Sequence, residues 1–135
     1  MIGVIVVTHG QLATELLNAA ETIVGDLPSF AAVSIGWHVD TEDARTEIEQ
    51  AIARVDRGSG VLVLTDMFGG TPSNLAMSFL AQGNVEVITG VNLPMLIKLV
   101  NLPQQADLLA AARDMSEQGR NAIWVASDLL RGEKP

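Results

Sequence analysis

Four short apolar runs, separated by segments of helical spacing, constrain the fold of this chain more than any other feature. Ile2 to Val7 and Gly60 to Thr65 are apolar almost throughout and rich in β-branched residues, without alternation of polar and apolar positions. Such runs are typical of strands that are covered on both faces, as in parallel sheets. Ala31 to Ile35 and Val85 to Thr89 predict two further strands.

The segments between these runs have the periodicity of amphipathic helices. From Gln11 to Val24, apolar residues recur every three or four positions, and Gly25 follows where a helix commonly ends. Helices are predicted over residues 11–24, from 40 or 41 to 58, and over 71–83, 92–100 and 104–118, with a last strand-like piece over 121–126. Strands that alternate with helices predict an α/β fold with a doubly wound, mainly parallel sheet.

Length, composition and charge narrow the class of protein. The 135 residues fit a single domain, predicted to span 1–135, and 48% of them are hydrophobic, which is enough for a core. The lack of cysteine excludes disulfides and thiol nucleophiles and favours a cytoplasmic protein. The net charge of −8 argues against nucleic acid or an anionic membrane as partner and favours a basic protein surface. The apolar start predicts a buried strand, not a signal peptide, and no apolar run has the length of a membrane span.

Polar residues with reactive side chains follow the predicted strands. His9 comes directly after the first strand, and Asp66 comes directly after the third. Ligands of doubly wound sheets bind beyond the carboxyl ends of the strands, where the strand order reverses, so His9 and Asp66 face one crevice if their strands are neighbours. An imidazole with one free nitrogen is a nucleophile towards phosphorus, and a carboxylate on the other nitrogen fixes its tautomer. We therefore predict His9 and Asp66 as a catalytic pair.

The segment Gly69-Gly70-Thr71 predicts a phosphate-binding turn beside Asp66. It leads into a helix, so its backbone amides can hold phosphate oxygens, and the Thr71 hydroxyl can donate as well. Gly10, where the first helix begins, is predicted to contribute in the same way. Each residue also has a purely structural interpretation, as a turn-shaping glycine, a turn cap or a helix cap. Their coincidence at one end of one sheet favours the phosphate site.

Other kinds of site lack their defining residues. The glycine-rich stretch has no P-loop lysine, no GxGxxG follows the first strand, and no GxSxG is present. The two histidines do not have the spacing of a zinc site, so no metal is predicted, and no cofactor is expected. His38 is a second candidate nucleophile, which the arrangement of glycines and carboxylates does not favour. Its loop, with Gly36 and Trp37, is interpreted either as a rim that contacts a partner or as a structural connection.

Three segments carry a family pattern: IVVTHGQLATELLNAAETIVG near the start, then GVLVLTDMFGGTPSN, then VITGVNLPML. Together they resemble the mannose-type enzyme IIA domain of the bacterial sugar phosphotransferase system, over essentially the whole chain. The resemblance implies a parallel sheet of order 2-1-3-4, completed by an antiparallel strand that is exchanged between the subunits of a homodimer. The piece from Ile123 to Ala126 is the matching segment.

The resemblance also implies a phosphohistidine carrier for sugar uptake. Such a carrier accepts a phosphoryl group from the phosphocarrier protein HPr and passes it to a IIB protein, which phosphorylates sugar at a IIC/IID membrane permease. The resemblance places the phosphorylated histidine at His9, with the phosphate on Nε2. It places the orienting aspartate at Asp66 and the small hydroxyl residue at Thr71. No linker and IIB domain follow in this sequence, so a separate acceptor protein is expected. A regulatory protein that signals carbon supply through His9, and an anion-binding domain without turnover, are the alternatives.

Overall fold

All four predicted strands form one parallel sheet in the computed structural model, which describes residues 1–37 and 39–133. The strands are β1 (Gly3–His9), β2 (Phe30–Ile35), β3 (Val61–Thr65) and β4 (Val85–Thr89). The helices are α1 (Leu12–Val24), α2 (Thr41–Val55), α3 (Thr71–Met77), α4 (Leu93–Leu99), α5 (Leu108–Asn121) and α6 (Ala126–Leu130), with a 3-10 turn at Leu80–Gln82. Within the described ranges, none of the helices is long and apolar enough to cross a membrane.

The strand order is β2-β1-β3-β4, and every pair of neighbours is parallel. The chain passes from β1 to β2 on one side and returns to β3 on the other, so the order reverses between β1 and β3. Val7 of β1 lies opposite Thr65 of β3, and both strands end at the same edge. The order implied by the family resemblance is confirmed, and the crevice expected at such a reversal lies beyond these two strand ends.

Both faces of the sheet are covered by helices because side chains of each strand alternate between them. Val4 and Val6 of the central strand β1 point into a core shared with α1, α4 and α5. Ile5 and Val7 point into the opposite core, which α2 and α3 complete. All four side chains are buried, as the continuous apolar run predicted. The predicted doubly wound α/β class is confirmed.

Helix α3 begins at the predicted Thr71, whereas α5 begins four residues later than predicted, because local backbone geometry decides where a helix is capped. Gly70 is extended and precedes α3, so Thr71 is the first helical residue and not the cap. Asp107 precedes α5 and accepts the Ala110 amide at 2.9 Å, so this helix begins at Leu108 and not at 104. Helices α2 and α3 also end several residues before the glycines that were predicted to close them.

The strand predicted over residues 121–126 is not formed within the described part of the single chain. Asn121 ends α5, residues 122–125 pair with no strand, and Ala126 begins α6. A strand needs backbone hydrogen bonds to a neighbouring strand, and in the single chain this segment pairs with none of the four strands. Exchange of the segment between two copies therefore stays a prediction.

Asp56 connects two loops at the amino ends of the strands. One carboxylate oxygen accepts the amides of Gly58 at 2.9 Å and Gly60 at 3.4 Å, and the other accepts the Asn84 side-chain amide at 3.0 Å. The Gly58 amide, followed by the Asn84 side chain, lowers the pKa of Asp56 below its ordinary value, against the smaller effect of burial. The ionised carboxylate thus ties the loop before β3 to the residue before β4.

We expect Asp56→Ala to lower the free energy of unfolding near neutral pH by about 1–3 kcal/mol, because its donors lose their acceptor. Since the folded pKa lies below the unfolded one, this stabilisation is present above the ordinary value of 3.8 and is lost as the pH falls through the folded pKa. Urea unfolding at neutral pH and below pH 3.8 measures the difference from wild type, with Asp114→Ala on the exposed face of α5 as control. A difference that does not shrink at low pH would contradict the role of the ionised form.

Candidate active site

His9 is the last residue of β1, whereas the sequence predicted it directly after that strand. Its amide donates to an oxygen of Asp66 at 3.0 Å, and the amide of Gly10 donates to the Ile35 carbonyl of β2 at 2.8 Å. The backbone of His9 is therefore held from both neighbouring strands. Its side chain is 52% exposed, so a fixed backbone presents an accessible imidazole.

Asp66 directly follows β3, and its carboxylate reaches both the ring and the backbone of His9. Oδ2 lies 2.8 Å from Nδ1 of His9 and also accepts the His9 amide, while Oδ1 accepts the Met67 amide at 3.0 Å. Burial raises the pKa of Asp66, but the hydrogen bonds from the ring and amide of His9 and from the Met67 amide outweigh it, so the pKa lies below its ordinary value. Asp66 is therefore ionised at neutral pH.

The ionised carboxylate decides which ring nitrogen of His9 carries the proton of the neutral ring. A carboxylate only accepts hydrogen bonds, so Nδ1 carries the ring proton and donates it to Asp66. In the neutral ring Nε2 then has a free lone pair, and an imidazole in this form can attack phosphorus. The structure brings the two predicted catalytic residues together in the arrangement that this chemistry needs.

Gly70 lies against the edge of the imidazole formed by Cε1 and Nε2. A Cβ at this position would lie 2.7 Å from Cε1 and 3.1 Å from Nε2 of His9, which leaves no room for a side chain. The amides of Gly70 and Thr71 donate no hydrogen bond within residues 1–37 and 39–133. These two donors are therefore available to the oxygens of a group bound near Nε2.

The amides of Gly10 and Gly69 are engaged within the protein, which corrects their predicted role as donors to phosphate. The Gly10 amide is used by the Ile35 carbonyl, and the Gly69 amide donates to the Ser73 hydroxyl at 2.9 Å. Both glycines have positive φ, 55° and 95°, where residues with a side chain are strained. Their contribution is to turn the chain sharply beside His9.

Two buried hydroxyl groups support the site, and neither was singled out from the sequence. Thr8 accepts the Ala13 amide at 2.7 Å and donates to the His9 carbonyl at 3.1 Å, so it joins the end of β1 to the first turn of α1. Ser73 bonds to the double-glycine turn. A hydroxyl residue beside a turn or in the first turn of a helix signals such bonds, but not which backbone group takes part.

A cleft of about 460 Å³ opens beside His9. It is lined by His9, Gly10, Ile35, Gly36, Trp37, Val39, Thr41 and Thr71. Trp37 is 93% exposed; Leu12 at the start of α1 and Met67 and Phe68 directly after Asp66 are exposed as well, Phe68 to 70%. Large exposed apolar side chains are thus found on the cleft wall and next in sequence to His9 and Asp66. We call Leu12, Trp37, Val39, Met67 and Phe68 the apolar rim.

No group of three His, Cys, Asp or Glu side chains in the described part of the chain is arranged to hold a metal ion. His38, the second candidate nucleophile, lies outside the described residues. Its neighbours Gly36 and Trp37 line the cleft, which agrees with the interpretation of this loop as a rim.

Comparison with known proteins decides the family. The EIIA-man family model, described as "PTS system fructose IIA component", matches residues 3–115. The chain belongs to the EIIA-man family. This confirms the resemblance to mannose-type enzyme IIA domains.

Individual members of the EIIA-man family are similar along nearly the whole chain. The mannose-specific EIIAB component of Escherichia coli K12 is 34% identical over 132 residues, which cover 90% of this chain but only 39% of that longer protein. The fructose-specific EIIA component of Bacillus subtilis 168 is 33% identical over 135 residues, covering 99% of this chain and 92% of the relative. The crystal structure of a PTS IIA protein associated with the fucose utilization operon of Streptococcus pneumoniae has a TM-score of 0.84 at 26% identity, covering 95% of both chains.

The contact between Gly70 and the imidazole generates a prediction. We expect Gly70→Ala to displace the His9 ring, because the new Cβ would overlap Cε1, and to weaken the 2.8 Å hydrogen bond to Asp66. Proton–nitrogen NMR spectra should then show large shifts of the ring signals of His9. Gly36→Ala is the control, since its Cβ meets only a methyl group of Val39, at 3.3 Å. Ring signals that match wild type in Gly70→Ala would show that the ring does not depend on this space.

Proposed function

We propose that this EIIA-man protein carries a phosphoryl group on His9 between two other proteins of a sugar phosphotransferase system. One observation carries the proposal: Nδ1 of His9 lies 2.8 Å from the ionised carboxylate of Asp66, so the neutral form of this exposed ring has its proton on Nδ1 and its lone pair on Nε2. Residues 1–135 then form one mannose-type IIA domain, a proposal supported by the single sheet and the family match over residues 3–115.

The transfer is a displacement at phosphorus. The lone pair of Nε2 forms a bond to phosphorus while the bond from phosphorus to the donor's histidine nitrogen breaks, and the donor imidazole takes that electron pair. The proton on Nδ1 stays hydrogen-bonded to Asp66, which stabilises the positive charge that develops on the ring. In the second step, a histidine of the acceptor attacks the same phosphorus, and His9 leaves as the neutral imidazole.

The phosphoryl oxygens are held by the amides of Gly70 and Thr71 and by the Thr71 hydroxyl. Gly70 allows the backbone to approach Nε2 because it has no side chain. Gly10 and Gly69 shape the two turns that enclose this position, with their own amides engaged elsewhere. No step of this scheme uses a metal ion or a cofactor.

The donor and the acceptor in this proposal are proteins, HPr and a IIB protein, and the apolar rim supports this. Large exposed apolar side chains around a nucleophile mark a surface that another protein covers. The net charge of −8 favours partners whose docking face is basic. The phosphoryl group would then reach sugar at the IIC/IID permease, with this protein acting in the cytoplasm.

The regulatory alternative has less support than sugar transport. The two curated relatives described above are named as components of phosphotransferase systems for mannose and for fructose. In the proposed scheme the phosphoryl group passes only between histidines, and no residue of the His9 site contacts sugar. The identity of the sugar is therefore a property of the other components.

Labelling with radioactive phosphoenolpyruvate and the general phosphotransferase proteins tests the proposal. We expect acid-labile label on wild type and none on His9→Ala. Asp66→Asn should be labelled about 100-fold more slowly, because control of the tautomer is lost while the side-chain volume is kept. Asp114→Asn serves as control, and urea unfolding checks that each variant is folded. Label on His9→Ala would refute the assignment, and a wild-type rate in Asp66→Asn would remove Asp66 from the mechanism.

We also propose that two copies form a homodimer by exchange of residues 122–125. Strand β4 is at the edge of the sheet, and a cleft of about 630 Å³ lies along it, bordered by Glu86 to Thr89 and by α5. An open strand edge is a template for pairing with another chain. Ile123 and Val125 are exposed in the single chain and would be covered by such pairing.

The oligomeric state in solution tests the exchange. We expect wild type to be a dimer by light scattering, and the double variant Ile123→Asp with Val125→Asp to shift towards monomer, because charged side chains oppose burial at the edge of β4. Leu130→Asp, at an exposed position of α6, adds charge outside the predicted strand and is the control. A monomeric wild type, or an equal shift in the control, would contradict exchange through residues 122–125.

A further inference from the structure

Ser73 lies in the first turn of α3 and bonds to the backbone turn that faces His9. Its Oγ accepts the Gly69 amide at 2.9 Å and donates to the Gly70 carbonyl at 3.1 Å. The residue has no exposed surface, so it can contact neither a phosphoryl group nor a partner protein. We propose that Ser73 is a positioning residue for phosphoryl transfer, acting through the turn at Gly69 and Gly70. This inference rests on the function proposed above.

The hydroxyl of Ser73 helps to set the direction of the Thr71 amide. The Gly70 carbonyl accepts two hydrogen bonds from α3, one from the Ser73 hydroxyl and one from the Asn74 amide at 3.0 Å. Both hold the carbonyl oxygen towards the body of the helix. In a trans peptide the next N–H points the opposite way, so the Thr71 amide points out of the start of α3. The Thr71 amide is one of the two free donors described above, the other being the amide of Gly70, which borders Nε2 of His9.

The same hydroxyl holds Gly69 in a conformation that few residues adopt. Gly69 has a φ of 95°, and its amide is fixed by the bond to Ser73. Two consecutive glycines have more conformational freedom than any other pair, so a double-glycine turn needs external bonds to keep one shape. Donors accelerate a reaction only when they already point at the group that develops charge. The Ser73 hydroxyl fixes the orientation of the double-glycine turn, and Ser73 itself does not contact the reacting groups.

Ser78 offers a matched comparison at the other end of the same helix. Its Oγ donates to the carbonyl of Leu75, three residues back, as Ser73 does to Gly70, and it accepts a bond from Arg45. None of the hydrogen bonds of Ser78 in the described structure involves the turns around His9. Ser78→Ala therefore removes the same kind of bond from α3 without touching the turn.

The rate of label transfer from phosphorylated HPr, measured over a range of HPr concentrations, tests the inference. We expect kcat to fall by about 10-fold to 100-fold in Ser73→Ala, because the turn loses its fixed orientation. KM for HPr should be unchanged, since the apolar rim is intact. Ser78→Ala should keep wild-type kcat and KM. Unchanged kcat in Ser73→Ala, or an equal loss in Ser78→Ala, would overturn the assignment.

Two NMR measurements keep this inference distinct from the proposed function. If wild type failed to take up label, the proposed phosphoryl transfer would be refuted. The positioning of the turn by Ser73 is tested independently, by the NMR spectra. Ser73→Ala should shift the amide signals of Gly70 and Thr71 and the ring signals of His9, and Ser78→Ala should leave them in place. In wild type, the Gly69 amide should exchange slowly with deuterated solvent although it lies in an exposed loop. Rapid exchange there would contradict the bond to Ser73 without any variant having to fold.

Discussion

The parallel pairing of β1 with β3 is the constraint on which the site depends. His9 and Asp66 are 57 positions apart in the chain, and no local structure can join them. With Val7 opposite Thr65, His9 and Asp66 lie at the same edge of the sheet, and one carboxylate reaches the amide and the ring of the histidine. The same pairing creates the reversal of strand order, where the crossing helices leave the strand ends uncovered. The chemistry and the opening through which a partner reaches it therefore have one structural origin.

Around His9 the backbone amides divide into engaged and free donors. The amides of His9, Gly10 and Gly69 bond within the protein and hold the geometry, whereas those of Gly70 and Thr71 have no partner in the described residues. None of the described residues that line the cleft is a lysine or arginine. Neutral donors suit a carrier, because a fixed cation would bind the phosphoryl group more tightly in the resting state than its onward transfer allows. This arrangement fits the proposed role of a site that holds a phosphoryl group and then releases it.

Most of the fold and the core of the site were predictable because their signals are local. A run such as Ile2 to Val7 identifies a strand buried on both faces, since only that environment accepts uninterrupted β-branched residues. His9 and Asp66 follow from their chemistry and their positions after two such runs. Helix boundaries were less predictable, because the cap of α3 depends on the extended backbone of Gly70 and not on the type of residue at Thr71. The strand expected over 121–126 did not form in the single chain, because a strand needs a partner strand beside it, and this segment pairs with none of the four strands.

By itself, the sequence determined the α/β class, the alternation of its elements, the pair His9 and Asp66, and the family, since periodicity and motifs survive without coordinates. Only the tertiary structure decided which amides are free, that Gly70 borders the imidazole, and that Ser73 holds the double-glycine turn. Those properties depend on the orientation of peptide planes and on distances between separate segments. The types of residue along the chain specify neither these orientations nor these distances.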